Sequence, residues 1–173
     1  KENKIKITKL NELYSLKELF FFSLEYDKII NINKFKSINL FNFHFSLLPK
    51  YRGCHTNFLQ INNGEKFSGV SLHKIDKGID TGDIIDQIKF KVKINDTAFD
   101  NYKKLMKFAI KLLKKNLSKI LNNKYRLKKQ LLSNGSYYNK ASVNYKKRLK
   151  INMKNFSIKT HNKIRSLIFP GYQ

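Results

Sequence analysis

Residues 37–53 read SINLFNFHFSLLPKYRG, an apolar, aromatic run that passes into a loop. The run predicts a β-strand over residues 37–45, and the proline and glycine after it predict the loop. Side chains alternate along a strand, so Asn42 and His44 would project from one face and the phenylalanines from the other. We expect the phenylalanine face to anchor the strand in the core. The two polar groups would then lie at its carboxyl end, where open α/β sheets bind ligands.

A second stretch, GIDTGD at residues 78–83, places Asp80 between two glycines. Read alone, it is ordinary turn chemistry in which aspartates cap backbone amides, and this reading suffices for Asp76 and Asp83. A lone histidine in a phenylalanine-rich strand is likewise more often a hydrogen-bonded core residue than a catalyst. Together, however, a carboxamide, an imidazole and a carboxylate suffice to move an acyl group onto an amine.

The two stretches, at this spacing, resemble the formyltransferases that use 10-formyltetrahydrofolate, which include methionyl-tRNA, glycinamide ribonucleotide and amino-sugar N-formyltransferases. The resemblance is densest over residues 19–87 and returns weakly over residues 161–173. It implies an α/β fold: a Rossmann-like core with a mixed, mostly parallel sheet over residues 1–122, and a small β-rich and helical appendage over residues 123–173. The family usually has a first βαβ portion before the part that residues 5–10 resemble, so we expect a fragment, incomplete at both ends.

The resemblance selects Asn42, His44 and Asp80 as the catalytic residues. Asn42 would donate its amide hydrogens to the formyl oxygen as negative charge builds there. His44, with an ordinary pKa of about 6.5, would accept the proton that leaves the attacking amine. Asp80 would orient the imidazole, stabilise its charged form or hold a proton-shuttling water. This chemistry needs no metal.

The resemblance also implies binding residues for the folate and for the substrate. The candidates for 10-formyltetrahydrofolate are Tyr26, Lys28, Ile29, Ser46, Leu47, Asp76 and Gly78. The candidates for the substrate are Arg52, Arg165 and Tyr172. An arginine can pair with a diphosphate and an aromatic ring can stack on a base. Packing and helix solvation are the more common roles of such residues.

The acceptor is indicated by the segment after Gly53. Methionyl-tRNA formyltransferases commonly continue there with small residues and a proline, whereas residues 54–57 of this chain read CHTN. The resemblance therefore favours a nucleotide-linked amino sugar of surface polysaccharide synthesis as the acceptor. Methionyl-tRNA is the alternative, and an inactive basic module that binds nucleic acid or lipid is a third hypothesis. A homodimer is left open.

The net charge of +24 and the pI of about 10.1 would ordinarily indicate nucleic acid or an anionic membrane as partner. Nearly all of the positive charge is lysine, and the chain is also rich in Asn, Ile, Phe and Tyr. A+T-rich coding produces this joint excess, and a phosphate-binding protein would more often use arginine. The field would nevertheless attract anionic substrates such as nucleotide sugars or tRNA.

The rest of the chain shows simple organisation. Apolar residues recur at helical spacing over residues 99–121, with Thr97 as the predicted cap. The many lysines of this helix fit a basic membrane-binding helix or, as we favour, a core-facing helix with a solvated lysine face. Further strands are predicted at 19–23, 69–75, 84–94 and within 136–145, and further helices at 57–63 and 156–169.

Cys54 is the only cysteine, so the chain has no internal disulfide, and a reducing compartment fits. Packing is a more common role than nucleophilic attack for a cysteine without a base partner. No apolar stretch reaches the roughly 20 residues of a membrane span. We therefore expect a cytoplasmic location and no insertion into a membrane.

Overall fold

The computed structural model describes residues 9–145 and 157–170. In this part of the chain the strands are β1 (Phe21–Leu24), β2 (Leu40–His44), β3 (Arg52–Gly53), β4 (Phe67–Lys74), β5 (Ile84–Lys91) and β6 (Tyr137–Tyr138). The α-helices are α1 (Thr56–Asn62), α2 (Ala98–Leu121) and α3 (Ile158–Leu167). Short 3-10 segments lie at Leu10–Leu13, Ile32–Lys34, Leu132–Asn134 and Lys140–Ser142.

Four strands form the central sheet in the order β1-β2-β4-β5. β1 and β2 are parallel, and the pairings β2–β4 and β4–β5 are antiparallel. The α/β class and the mixed sheet are confirmed, but among the described strands the sheet is not mostly parallel. β4 and β5 are antiparallel because they follow each other through a loop without a crossover helix. β2 and β4 are antiparallel although α1 lies between them in sequence.

The phenylalanines of β2, together with Phe45 directly after the strand, build the core, as the alternation predicts. Phe41, Phe43 and Phe45 are buried in one cluster with Leu72 of β4 and Leu105 of α2. A strand that is fixed by three aromatic rings on one face holds its other face in a constant position. The core thereby determines where the polar residues of β2 stand.

α2 packs its apolar side on the sheet, which confirms the core-facing interpretation of this helix. Its buried residues include Leu105, Ala109 and Leu112. The helix begins in a capping box: the Thr97 hydroxyl accepts from the Asp100 backbone N–H at 3.1 Å, and the Asp100 carboxylate accepts from the Thr97 N–H at 3.2 Å. No helix in the described residues is both long and apolar enough to cross a bilayer.

Replacing Thr97 with alanine should destabilise the protein by about 1 kcal/mol, because the helix loses the cap that satisfies one of its free N–H groups. Urea-induced unfolding followed by circular dichroism would measure the change. Ser118→Ala, within the same helix, is the matched control and should cost less, since alanine is the best helix former. Equal losses in the two variants would contradict a capping role.

Several predicted elements differ from the structure in extent. β2 begins at Leu40 and not at residue 37, and β4 begins at Phe67, two residues before its predicted start. β1 covers Phe21–Leu24, and only Ser23 is buried, because the strand lies at one side of the described sheet. β5 ends at Lys91 instead of residue 94. Within residues 136–145 only β6 is strand, because it pairs with the two residues of β3. The short helix after Gly53, the helix α2 and the helix α3 occur where they were predicted.

The β3–β6 pair depends on a glycine. Gly53 has φ of +89°, and a Cβ atom there would lie 2.1 Å from the carbonyl oxygen of Tyr138. No other residue fits this close approach of two backbones. The pair attaches the segment after residue 122 to the loop that follows β2, and the proposed division of the chain at residue 122 stays a prediction.

Candidate active site

A cleft of about 650 Å³ opens at the carboxyl ends of β1 and β2. Asn42, His44 and Asp80 all line it. The other lining residues are Phe43, Phe45 and most of the residues within 23–30, 53–57, 73–79 and 137–140. The structure therefore brings the three predicted catalytic residues together in one cleft.

The Asp80 carboxylate lies between two imidazoles. Its Oδ2 is 3.4 Å from Nδ1 of His44 and accepts from the Gly53 N–H at 2.9 Å. Its Oδ1 is 3.4 Å from Nε2 of His73. Burial alone would raise the pKa of Asp80, but the two imidazoles and the Gly53 amide outweigh burial and hold this pKa well below its usual range. Asp80 is therefore an ionised, nearly buried carboxylate.

His44 is held in one tautomer by a backbone carbonyl. Its Nε2 lies 2.7 Å from the carbonyl oxygen of Tyr51, which can only accept, so Nε2 carries the proton. Nδ1 is then the basic nitrogen, and it lies beside Asp80. Burial lowers the pKa of His44 below its ordinary value, an effect that outweighs the opposing charge of Asp80. His44 is thus a neutral imidazole with a free lone pair, as a general base requires.

Tyr51 is itself fixed at several points. Its ring stacks on Tyr138 with centroids 5.6 Å apart. Its backbone N–H donates to the Ser136 hydroxyl at 2.8 Å, and its own hydroxyl donates to Glu65 at 2.8 Å. The carbonyl that selects the tautomer of His44 is therefore positioned by residues that lie far away in sequence.

Asn42 uses both amide hydrogens within the site. Its Nδ2 donates to Asp80 Oδ1 at 3.2 Å and lies 3.2 Å from Nε2 of His73. The predicted donation from Asn42 to a formyl oxygen therefore requires one of these hydrogen bonds to be exchanged for the substrate.

His73 is the site residue that sequence reasoning missed. It lies on β4 directly opposite Asn42 in the antiparallel register, and it is 2 % exposed. Residues 69–75 looked like an ordinary buried strand. The residue becomes visible only when the pairing of β2 with β4 is known, because that pairing puts its side chain on the face of Asn42.

Five of the seven predicted folate-binding residues line the cleft: Tyr26, Lys28, Ile29, Asp76 and Gly78. Ser46 and Leu47 do not. The Ser46 side chain is fully buried and donates to the Lys50 carbonyl at 2.6 Å, and Leu47 packs over Gly69. The chain leaves β2 at His44, so these two side chains point into the protein and not into the cleft.

The predicted substrate arginines are also placed elsewhere. Arg165 is 5 % exposed and donates from Nη1 to the backbone carbonyls of Lys93 and Asp96, at 3.2 and 2.7 Å. It connects α3 to the loop before α2, which corrects its assignment to a diphosphate. Arg52 does not line the cleft, although its neighbour Gly53 does. Tyr172 lies outside the described residues.

Another wall of the cleft contains residues that the sequence analysis did not predict as binding residues. They are Cys54, His55, Thr56, Asn57, Tyr137, Asn139 and Lys140. His55 lies 2.9 Å from the carbonyl oxygen of Lys140, which ties the two parts of this wall together. The exposed Cys54 adds a thiol to this wall.

The His44 imidazole should stay neutral at about pH 6.5, where an ordinary histidine is half protonated, because burial lowers its pKa. The unfolded chain then binds the proton more readily, so stability falls as the pH drops below about 6.5. A histidine ¹⁵N NMR titration, with His44→Gln used for assignment, would measure both tautomer and pKa. Half-protonation at or above pH of about 6.5 would contradict the expectation.

Known proteins resemble this chain in sequence and in fold. The family model for formyl transferases matches residues 24–117. The solved structure of WlaRD, a sugar 3N-formyl transferase with dTDP and 5-N-formyl-THF, is 50% identical with a TM-score of 0.91, and the match covers 98% of this chain and 61% of that chain. The N-formyltransferase of Helicobacter canadensis, solved with folinic acid and dTDP-3-aminofucose, is 49% identical with a TM-score of 0.92, covering 98% and 62%.

Curated relatives include two kinds of enzyme. The bifunctional polymyxin resistance protein ArnA of Wigglesworthia glossinidia brevipalpis is 43% identical over 117 residues, which are 66% of this chain and 18% of ArnA. The methionyl-tRNA formyltransferase of Clostridium tetani is 40% identical over 125 residues, 72% of this chain and 38% of that enzyme. The chain thus spans less than two thirds of the length of each of these relatives.

Proposed function

The chain belongs to the formyl transferase family, and we propose that the protein transfers a formyl group from 10-formyltetrahydrofolate to the primary amine of a nucleotide-linked amino sugar. One observation carries the proposal. Two sugar N-formyltransferases, one solved with dTDP and the other with dTDP-3-aminofucose, match 98% of this chain at 50% and 49% identity. This span contains the whole cleft.

The residues of the cleft supply the proton transfers of this reaction. The amine nitrogen attacks the formyl carbon, the bond from that carbon to the folate nitrogen breaks, and one amine proton ends on that nitrogen. The folate supplies the formyl group. Nδ1 of His44 accepts the amine proton and can return it to the leaving nitrogen, and the nearby carboxylate of Asp80 stabilises the intermediate imidazolium. Asn42 supports the developing oxyanion.

The two ligands would use different walls. We assign the folate to the walls formed by residues 25–30 and 75–80, which contain the five predicted residues that line the cleft. The nucleotide sugar would lie along residues 54–57 and 137–140. Lys140 provides positive charge there for a diphosphate, and Tyr137 offers a ring for a base. The reaction would take place in the cytoplasm.

Methionyl-tRNA formylation is the second candidate. Its support is the 40% identity to the Clostridium tetani enzyme over 72% of the chain. The net charge of +24 would suit tRNA as well as a nucleotide sugar. The higher identity and the fuller coverage of the sugar enzymes favour the sugar.

The deciding experiment is a formyl-transfer assay with the full-length protein and 10-formyltetrahydrofolate. The acceptors are dTDP-linked and UDP-linked amino sugars with the amine at different ring positions, and methionyl-tRNA. Mass spectrometry would detect the formylated product, with His44→Gln as the inactive control. Transfer to a sugar supports the proposal, transfer only to tRNA supports the second candidate, and no transfer to any acceptor overturns both.

A further inference from the structure

His73 is a buried polar residue for which the reaction above provides no role. Its Nδ1 lies 2.7 Å from the carbonyl oxygen of Lys74, which can only accept, so Nδ1 carries the proton. Of the two ring nitrogens, Nε2 is then the one that can accept, and it faces the cleft residues. A buried acceptor at 2 % exposure needs a donor.

The donor is the amide of Asn42. One Nδ2 hydrogen goes to Nε2 of His73 at 3.2 Å, and the other goes to Oδ1 of Asp80 at 3.2 Å. A flipped amide would put its oxygen against a carboxylate and against a lone pair. Because both acceptors contact Nδ2 of Asn42, they fix the orientation of its amide group.

The two acceptors hold their hydrogens with different strength. Asp80 is charged, and hydrogen bonds to ionised acceptors are about twice as strong as neutral ones. A ring nitrogen of an imidazole is a weaker acceptor than a carboxylate oxygen, so the hydrogen bond to His73 is the easier one to exchange. A formyl oxygen that becomes negative is a better acceptor than the imidazole and would take over this hydrogen.

We propose that His73 is a positioning residue for formyl transfer: it holds the Asn42 hydrogen that the formyl oxygen takes over in the transition state. The inference rests on the proposed function. His73 does not touch the reacting atoms in this reaction. It keeps the donor oriented before the substrate binds, and such preorganisation lowers the reorganisation needed during the reaction.

The kinetic test compares His73→Phe with His73→Gln. The phenylalanine lacks an acceptor, so kcat should fall by about 10- to 100-fold with little change in KM, less than the roughly 100- to 1,000-fold cost of losing an oxyanion donor outright. The glutamine offers its amide oxygen to Asn42 and should recover most of kcat. His161→Gln, on α3 outside the cleft, is the control and should keep kcat.

A double-mutant cycle separates positioning from general destabilisation. In the Asn42→Ala background, His73→Phe should cost almost nothing further in kcat, because the residue through which it acts is gone. Additive losses, or unchanged kcat in His73→Phe, would overturn the proposal.

A substrate-free measurement keeps this test independent of the acceptor. ¹⁵N NMR of the Asn42 side chain should show two hydrogen-bonded, slowly exchanging amide protons in the wild type and one in His73→Phe. If no acceptor is formylated, this spectrum still decides whether His73 holds Asn42, and unchanged amide protons in the variant would refute it. His73→Leu, which also lacks an acceptor, serves if the phenylalanine variant does not fold.

Discussion

Replacing His44 with glutamine is expected to lower kcat for formyl transfer by about 100- to 10,000-fold, the range typical for the loss of a general base. The glutamine amide can still donate to the Tyr51 carbonyl, so the local fold should persist. It has no basic lone pair at the position of Nδ1, so the amine proton loses the acceptor that we propose for it. Steady-state kinetics with the identified amino sugar would measure the loss.

The control for this variant is His161→Gln, which makes the same chemical change outside the cleft. Thermal unfolding of both variants should show that each is folded. If His44→Gln kept kcat within about tenfold of the wild type, well short of the usual general-base effect, the proton would leave by another route and the assignment of the base would be wrong.

The location of His44 was predictable because it follows from local patterns. Alternation along residues 40–44 separates the phenylalanine face from the face of Asn42 and His44, and the structure has this separation. The helix α2 likewise follows from the helical spacing of its apolar residues, and its start follows from the side chain of Thr97, which caps it. Such features depend only on residues that are close in sequence.

Long-range features were not predictable in this way. The tautomer of His44 depends on Tyr51, whose position depends on Ser136, and the orientation of Asn42 depends on His73 across the sheet. Ser46 and Arg165 were assigned by their place in a family pattern, which does not specify where a side chain points. The mixed strand directions likewise depend on the connections between strands.

Backbone strain is concentrated around the cleft. Glu25, Tyr51, His55 and Asp80 all have positive φ between 53° and 60°, and each lines the cleft or contacts a residue that does. Non-glycine residues adopt this region at a cost, and they do so mainly where the surrounding structure imposes it. At Asp80 the restraint is Gln130, whose amide donates to the carbonyls of Asp80 and Gly82 at 3.0 and 2.7 Å. The position of the carboxylate is therefore built into the loop.

Replacing Asp80 with asparagine is the second substitution for which we expect a large effect, a loss in kcat of up to about 10,000-fold, the scale seen when an amide replaces the carboxylate of a Ser-His-Asp triad. The amide has the same size but no charge, so it cannot stabilise the His44 imidazolium. The NH2 group of the new asparagine must also face either the Gly53 N–H or the Asn42 NH2 group. Both of these groups are donors, so one hydrogen bond of the carboxylate is replaced by a contact between two donors. The kcat of Asp83→Asn, the same change in the same loop outside the cleft, should stay near that of the wild type.

The pH dependence distinguishes loss of the Asp80 charge from misfolding. The folded-state pKa of Asp80 is held below its unfolded value of about 3.9, so its charge stabilises the fold above that pH, and this contribution is lost as the pH falls through the folded-state pKa. The difference in unfolding free energy between wild type and Asp80→Asn should therefore shrink on acidification below about pH 4. Asp80 also raises the pKa of His44, so the variant should titrate this imidazole at still lower pH. An unchanged His44 titration together with wild-type kcat would show that the carboxylate does not act on the base.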